Sequence, residues 1–68
     1  MTLSIRVNGK EEALAAATVA ELLAARGIVK AKGVAVALNG AVVPAVAWRE
    51  ARLAAGDVIE IVRPFGGG

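Results

Sequence analysis

Gly56-Asp57-Val58-Ile59-Glu60-Ile61-Val62 is the stretch on which the fold turns. Gly56 and Asp57 make a turn, with Asp57 suited to cap it. Four of the next five residues are β-branched and apolar. Such a run predicts a strand near the middle of a sheet, buried on both faces. Glu60 interrupts the run and requires a partner or an exposed side. The preceding sequence must therefore supply two neighbouring strands and a cover for this one.

The first neighbour is at the N-terminus. Leu3, Ile5 and Val7 alternate with Thr2, Ser4 and Arg6, the pattern of a half-buried strand. Asn8-Gly9 follows, and a type I′ hairpin turn needs positive φ at both central residues, which Asn and Gly tolerate. A second strand is expected over residues 10–14. A third set of alternating residues, Val34, Val36 and Leu38, ends at another such pair, Asn39-Gly40. Ala35 and Ala37 give that strand a lightly decorated face, fit for solvent or a close neighbour. Residues 41–43 return as a short strand until Pro44, which has no N–H to donate. Residues 45–53 read as irregular or as one helical turn, anchored in the core by Trp48 and Leu53.

The cover is a helix. Thr18-Val19-Ala20-Glu21 is a capping box: the Thr18 hydroxyl accepts from the third helical N–H, and Glu21 reaches back to the Thr18 N–H. Val19, Leu22, Leu23 and Arg26 then share one face, with the Arg26 stem covering the edge of the apolar stripe. Gly27 takes the left-handed position that ends the helix, and Ile28 supplies the apolar contact after it.

A hairpin, a crossing helix, a second hairpin and a last strand beside the first make an α+β fold. The expected architecture is the ubiquitin-like β-grasp: a mixed sheet of four to five strands with one main helix packed on one face. Residues 1–64 form that domain and residues 65–68 a glycine-rich C-terminal tail. At 68 residues the domain buries only about 60% of the surface its unfolded chain exposes. Its composition, 57% hydrophobic and 21% charged, nevertheless sets it apart from disordered chains. No secretory signal or membrane-spanning run is legible, so a cytoplasmic location is expected. The net charge is +2, and Arg6, Arg26, Lys30, Lys32, Arg49, Arg52 and Arg63 are dispersed along the sequence. With one Trp, one Phe and no Tyr, no stacking platform for nucleic acid is expected.

Side-chain catalysis and metal binding have little to work with. The sequence has no Cys and no His, and its hydroxyls are Thr2, Ser4 and Thr18. Ser4 has no base at hand and Thr18 has its capping role. Glu11 and Glu12 point to opposite faces of a strand. No catalytic residue and no metal ligand is therefore assigned. What remains is Gly66-Gly67-Gly68, a thread without side chains. Such a thread fits a narrow tunnel in a partner and presents its terminal carboxylate unobstructed; the plain alternative is a frayed end or linker. Phe65 suits either a core or edge-capping position or, with Pro64, a partner contact.

Leu38-Asn39-Gly40, Val43-Pro44, Trp48, Leu53, Gly56-Asp57-Val58-Ile59-Glu60-Ile61 and the glycine end together resemble the ThiS family, the sulfur carriers of thiamine biosynthesis. The resemblance covers the whole chain and is densest over residues 34–68. The Gly-Asp turn, apolar strand and Gly-Gly end are shared with the small subunit of molybdopterin synthase, whereas Val-Pro followed by Trp is similar to ThiS. Two departures are Ala45, where many relatives carry a basic residue, and the third glycine, Gly66. The resemblance implies a carrier that is not an enzyme and binds no cofactor of its own. A ThiF-like adenylyltransferase would use ATP-Mg to activate the Gly68 carboxylate, and a cysteine desulfurase or persulfide protein would supply sulfur. The Gly68 thiocarboxylate would then serve a ThiG-like thiazole synthase, with Gly66, Gly67 and Gly68 threading the partners' active sites. A carrier for molybdopterin synthesis and a ubiquitin-like protein modifier are the alternatives.

Overall fold

Both Asn-Gly pairs turn the chain back on itself. Asn8 and Gly9 have φ of 51° and 84°, and Asn39 and Gly40 have 52° and 86°, the left-handed pair a type I′ turn requires. The computed structural model describes residues 3–63. Within them lie β1 (Ser4–Val7), β2 (Lys10–Ala13), α1 (Val19–Ala25), β3 (Ala35–Leu38), β4 (Ala41–Val42) and β5 (Val58–Val62), with a 3₁₀ turn at Ala45–Ala47. The sheet order is β2-β1-β5-β3-β4. β5 runs parallel to β1, with Val7 opposite Ile59, and antiparallel to β3, with Leu38 opposite Ile59. The last strand is therefore central, as the sequence predicts. The expected division at residues 64 and 65 lies outside the described residues.

The helix starts and stops by the expected chemistry, with one change. The Glu21 N–H donates to Thr18 Oγ1 at 3.2 Å, but Glu21 Oε1 accepts from the Ala17 N–H, at 3.0 Å, and not from that of Thr18. The backbone here is drawn toward the segment around residue 52. Ala17 O accepts from the Leu53 N–H, the Val19 N–H donates to Ala51 O, and Thr18 bridges Arg52. At the other end Gly27, at φ 80°, allows its own N–H to reach Ala24 O and the Ile28 N–H to reach Leu23 O. That is the Schellman closure, and buried Ile28 completes it. Arg26 does more than cover the stripe's edge, because its guanidinium pairs with the Glu12 carboxylate on β2. Both side chains are about one-third exposed, so the pair is worth at most about 1 kcal/mol.

The core lies between α1 and one face of the sheet. Val19, Leu22 and Leu23 meet Ile5, Val7, Val36, Ile59 and Ile61, with Ile28 and Trp48 closing the ends. Trp48 satisfies its indole N–H on Val43 O at 2.9 Å, and Leu53 packs beside it half-buried. β5 departs from the expectation of two-sided burial. Ile59 and Ile61 are buried, whereas Val58, Glu60 and Val62 are exposed at 42% or more for the two valines. The strand is central because both its edges are paired; the only helix among the described residues covers one face. Glu60 thereby takes the exposed side its charge requires. Leu3, expected beside Ile5 and Val7, precedes β1 and is 58% exposed.

Removing the helix cap tests this account. Thr18→Ala leaves the Glu21 N–H without its side-chain acceptor and is expected to cost about 1 kcal/mol. In a domain this small that lowers Tm by about 4–8 °C. Circular dichroism melting reads the shift, and Thr18→Ser should restore most of it; an unchanged Tm for the alanine variant contradicts the capping role.

Candidate functional site

The residues singled out in the sequence, Pro64, Phe65, Gly66, Gly67 and Gly68, all lie outside the described residues. What the structure shows is the base from which they continue. β5 is held on one side by β3 as far as Val62, which pairs with Ala35. On the other side β1 ends at Val7, opposite Ile59, leaving the last residues of β5 without a strand partner on that edge. The turn residue Asn8 fills that place. Its N–H donates to Ile59 O at 2.9 Å. Its side-chain Oδ1 accepts from the Ile61 N–H at 2.8 Å, and its Nδ2 donates to Ile61 O at 3.3 Å. A side-chain amide thus imitates one more residue of β1.

The start of β5 is fastened in the same manner. The Asn39 N–H donates to Val58 O at 2.7 Å, and Asn39 Oδ1 accepts from the Val58 N–H at 2.8 Å. Asn39 Nδ2 also donates to Asp57 Oδ1 at 3.0 Å, while Asp57 Oδ2 accepts from the Ala54 N–H at 2.8 Å. Asp57 therefore caps the turn as expected. The two asparagines have a role beyond turn geometry that the sequence analysis did not assign. Each precedes a glycine in a hairpin and flanks the strand placed centrally by its composition, which is the only sequence signal for it.

Among the described residues, no cluster of three metal-ligating side chains forms, and no helix is long and apolar enough to cross a membrane. Ser4 Oγ donates to Glu11 Oε2 at 2.8 Å on the open face of the sheet. Glu11 and Glu12 do face opposite sides, Glu12 being engaged by Arg26 beneath the helix. The fold brings basic residues together. Although the basic residues are dispersed in sequence, Lys10, Arg26 and Arg63 line one open hollow, and Lys30, Lys32 and Arg63 line the next. The folding of the β1–β2 hairpin and the helix C-terminus toward the end of β5 gathers them beside Arg63.

A five-stranded mixed sheet in this order, grasping a single helix, defines a ubiquitin-like β-grasp domain. Within that class the chain belongs to the ThiS family, which it matches over residues 5–68. Two solved structures of one Geobacter metallireducens protein are similar to it. One is a crystal structure of a thiamine biosynthesis protein (ThiS), 35% identical, covering 97% of this chain and 100% of that one, with a TM-score of 0.77. The other is a solution structure of a thiamine biosynthesis protein, also 35% identical, covering 97% and 88% of the two chains, with a TM-score of 0.78. No curated protein matches the chain in the sequence comparison.

The Asn8 clamp is separable from the turn. Asn8→Gly keeps the positive φ while deleting both side-chain hydrogen bonds to Ile61. Each is worth about 0.5–1.5 kcal/mol, so the Ile61 amide should lose at least about fivefold in hydrogen-exchange protection. Asn8→Asp retains the acceptor and should fall between the two. Full protection of Ile61 in Asn8→Gly contradicts the clamp.

Proposed function

We propose that the protein is a sulfur carrier for thiazole formation in thiamine biosynthesis, with the carboxylate of Gly68 as its working group. The observation that carries this reading is the family match, which extends through Gly68 and rests on a fold whose central strand leads into the glycine tail. The domain is acted upon by partner enzymes. An adenylyltransferase of the ThiF kind holds ATP-Mg, and a Gly68 carboxylate oxygen attacks the α-phosphorus, releasing pyrophosphate. A carboxylate is a poor acceptor for a nucleophile; the acyl-adenylate is a good one because AMP leaves readily. A persulfide sulfur from a cysteine desulfurase or persulfide protein then attacks the acyl carbon and expels AMP. Cleavage of the resulting acyl disulfide by a thiol leaves the thiocarboxylate, whose sulfur passes to a thiazole synthase of the ThiG kind.

Glycine suits this because no side chain crowds the acyl carbon or the two residues before it, Gly66 and Gly67. Pro64 and Phe65 then lie at the mouth of the partner's tunnel and serve as contacts there.

Intact-mass measurement tests the reading directly. After incubation with ATP-Mg, the adenylating enzyme and a sulfur donor, the protein should gain the difference between sulfur and oxygen. Deleting Gly68, or adding one residue after it, should abolish that gain and leave the melting temperature unchanged. No gain with an enzyme proven active on another carrier argues against the proposal. Co-purification of molybdopterin synthase large subunit instead of thiazole synthase would redirect it to that pathway.

A further inference from the structure

The sequence carries eight basic and six acidic side chains, and the fold divides them unevenly. Lys10, Arg26, Lys30, Lys32 and Arg63 line two adjoining hollows that share Ile28 and Arg63. Glu12 is the acidic residue lining them, so five positive charges less one leave +4 at this end. The remaining three basic residues (Arg6, Arg49, Arg52) and five acidic ones (Glu11, Glu21, Glu50, Asp57, Glu60) sum to −2. Among the described residues, the ion pair is Arg26 with Glu12, which leaves Lys10, Lys30, Lys32 and Arg63 without a carboxylate partner. Ile28, Val34 and Val29, the last 81% exposed, line the same hollow as Lys30, Lys32 and Arg63. Cationic side chains and the exposed Val29 thus lie together near the end of β5.

Resting on the carrier reading, we propose that this pole docks on an acidic protein surface bordering the active-site entrance of the adenylating enzyme. Gly68 is five residues beyond Arg63, a reach of at most about 18 Å. When Gly68 stands at the reacting atoms, Arg63 is confined to that radius from them, with its cationic neighbours grouped about it. Charges on the pole act over a Debye length of about 8 Å at physiological salt. The complementary acidic side chains therefore stand at the rim of the tunnel and not on a distant face of the enzyme. Such an arrangement orients the domain tail-first during encounter and raises the association rate, as opposed single-sign surfaces do.

Lys30→Ala/Lys32→Ala and Arg52→Glu each lower the net charge by two, the first at the pole and the second away from it. Binding to the adenylating enzyme is measured by titration without ATP, and sulfur loading by mass with ATP and donor, at low and high salt. The pole variant should bind about fivefold to tenfold more weakly at low salt and raise KM equally without changing kcat, whereas Arg52→Glu stays near wild type. At 0.5 M salt the difference should vanish. Equal binding by the pole variant and wild type, or equal weakening by both variants, overturns the docking proposal while sulfur loading of Gly68 still upholds the carrier reading. Loss of binding by the pole variant alone, with no sulfur gained by wild type, upholds the docking surface and removes the carrier reading.

Discussion

The structure depends on β5 being paired along both edges. Its neighbours β1 and β3 come from the two hairpins, and each hairpin's asparagine completes the pairing that its own strand leaves short. Ile59 and Ile61 on the same strand anchor the core against Leu23 and Val19. Backbone pairing and apolar burial are therefore coupled in one five-residue element. A register slip of one residue would expose both isoleucines and bury Glu60. That penalty, together with two asparagine clamps that fit only one alignment, makes the register unambiguous in a domain with little stability to spare.

Much of this was legible because the signals are local. Asn-Gly pairs demand positive φ, Thr18 and Glu21 bracket a helix start, and Gly27 ends it; each involves residues within five positions of one another. The centrality of β5 was legible from its β-branched composition, but the reason assigned to it, burial on both faces, was not the operative one. Val58 and Val62 satisfy strand preference on an open face, and composition does not distinguish that from burial. Glu21 reached Ala17 in place of Thr18 because a pairing with residues 51–53, more than thirty positions away, shifted the local backbone.

The candidate site divides along the same line. The glycine run is plain in sequence, while its supports are contacts over long separations: Asn8 with Ile61, and Lys10, Arg26 and Lys32 converging on Arg63. The dispersed charges gave no one-dimensional pattern. Only the parallel placement of β5 beside β1 brings the first turn, the helix C-terminus and the loop after it to one end of the domain.

Under the carrier proposal, that convergence bears on how so small a domain would engage a larger partner. Fixing a backbone residue costs about 1–2 kcal/mol, and a partner that must order the chain it receives loses that amount from its affinity. Here β5 is paired on one side to Val62 and on the other, through Asn8, to Ile61, so a partner need not order the chain up to Val62. The strand supplies an origin and direction six residues before Gly68, and the proposed docking pole would supply orientation. Specificity can then reside in the domain, which has side chains to offer, while the terminus stays chemically minimal. A carrier of the proposed kind would gain from that separation, because a side chain at its end would have to fit every active site it entered.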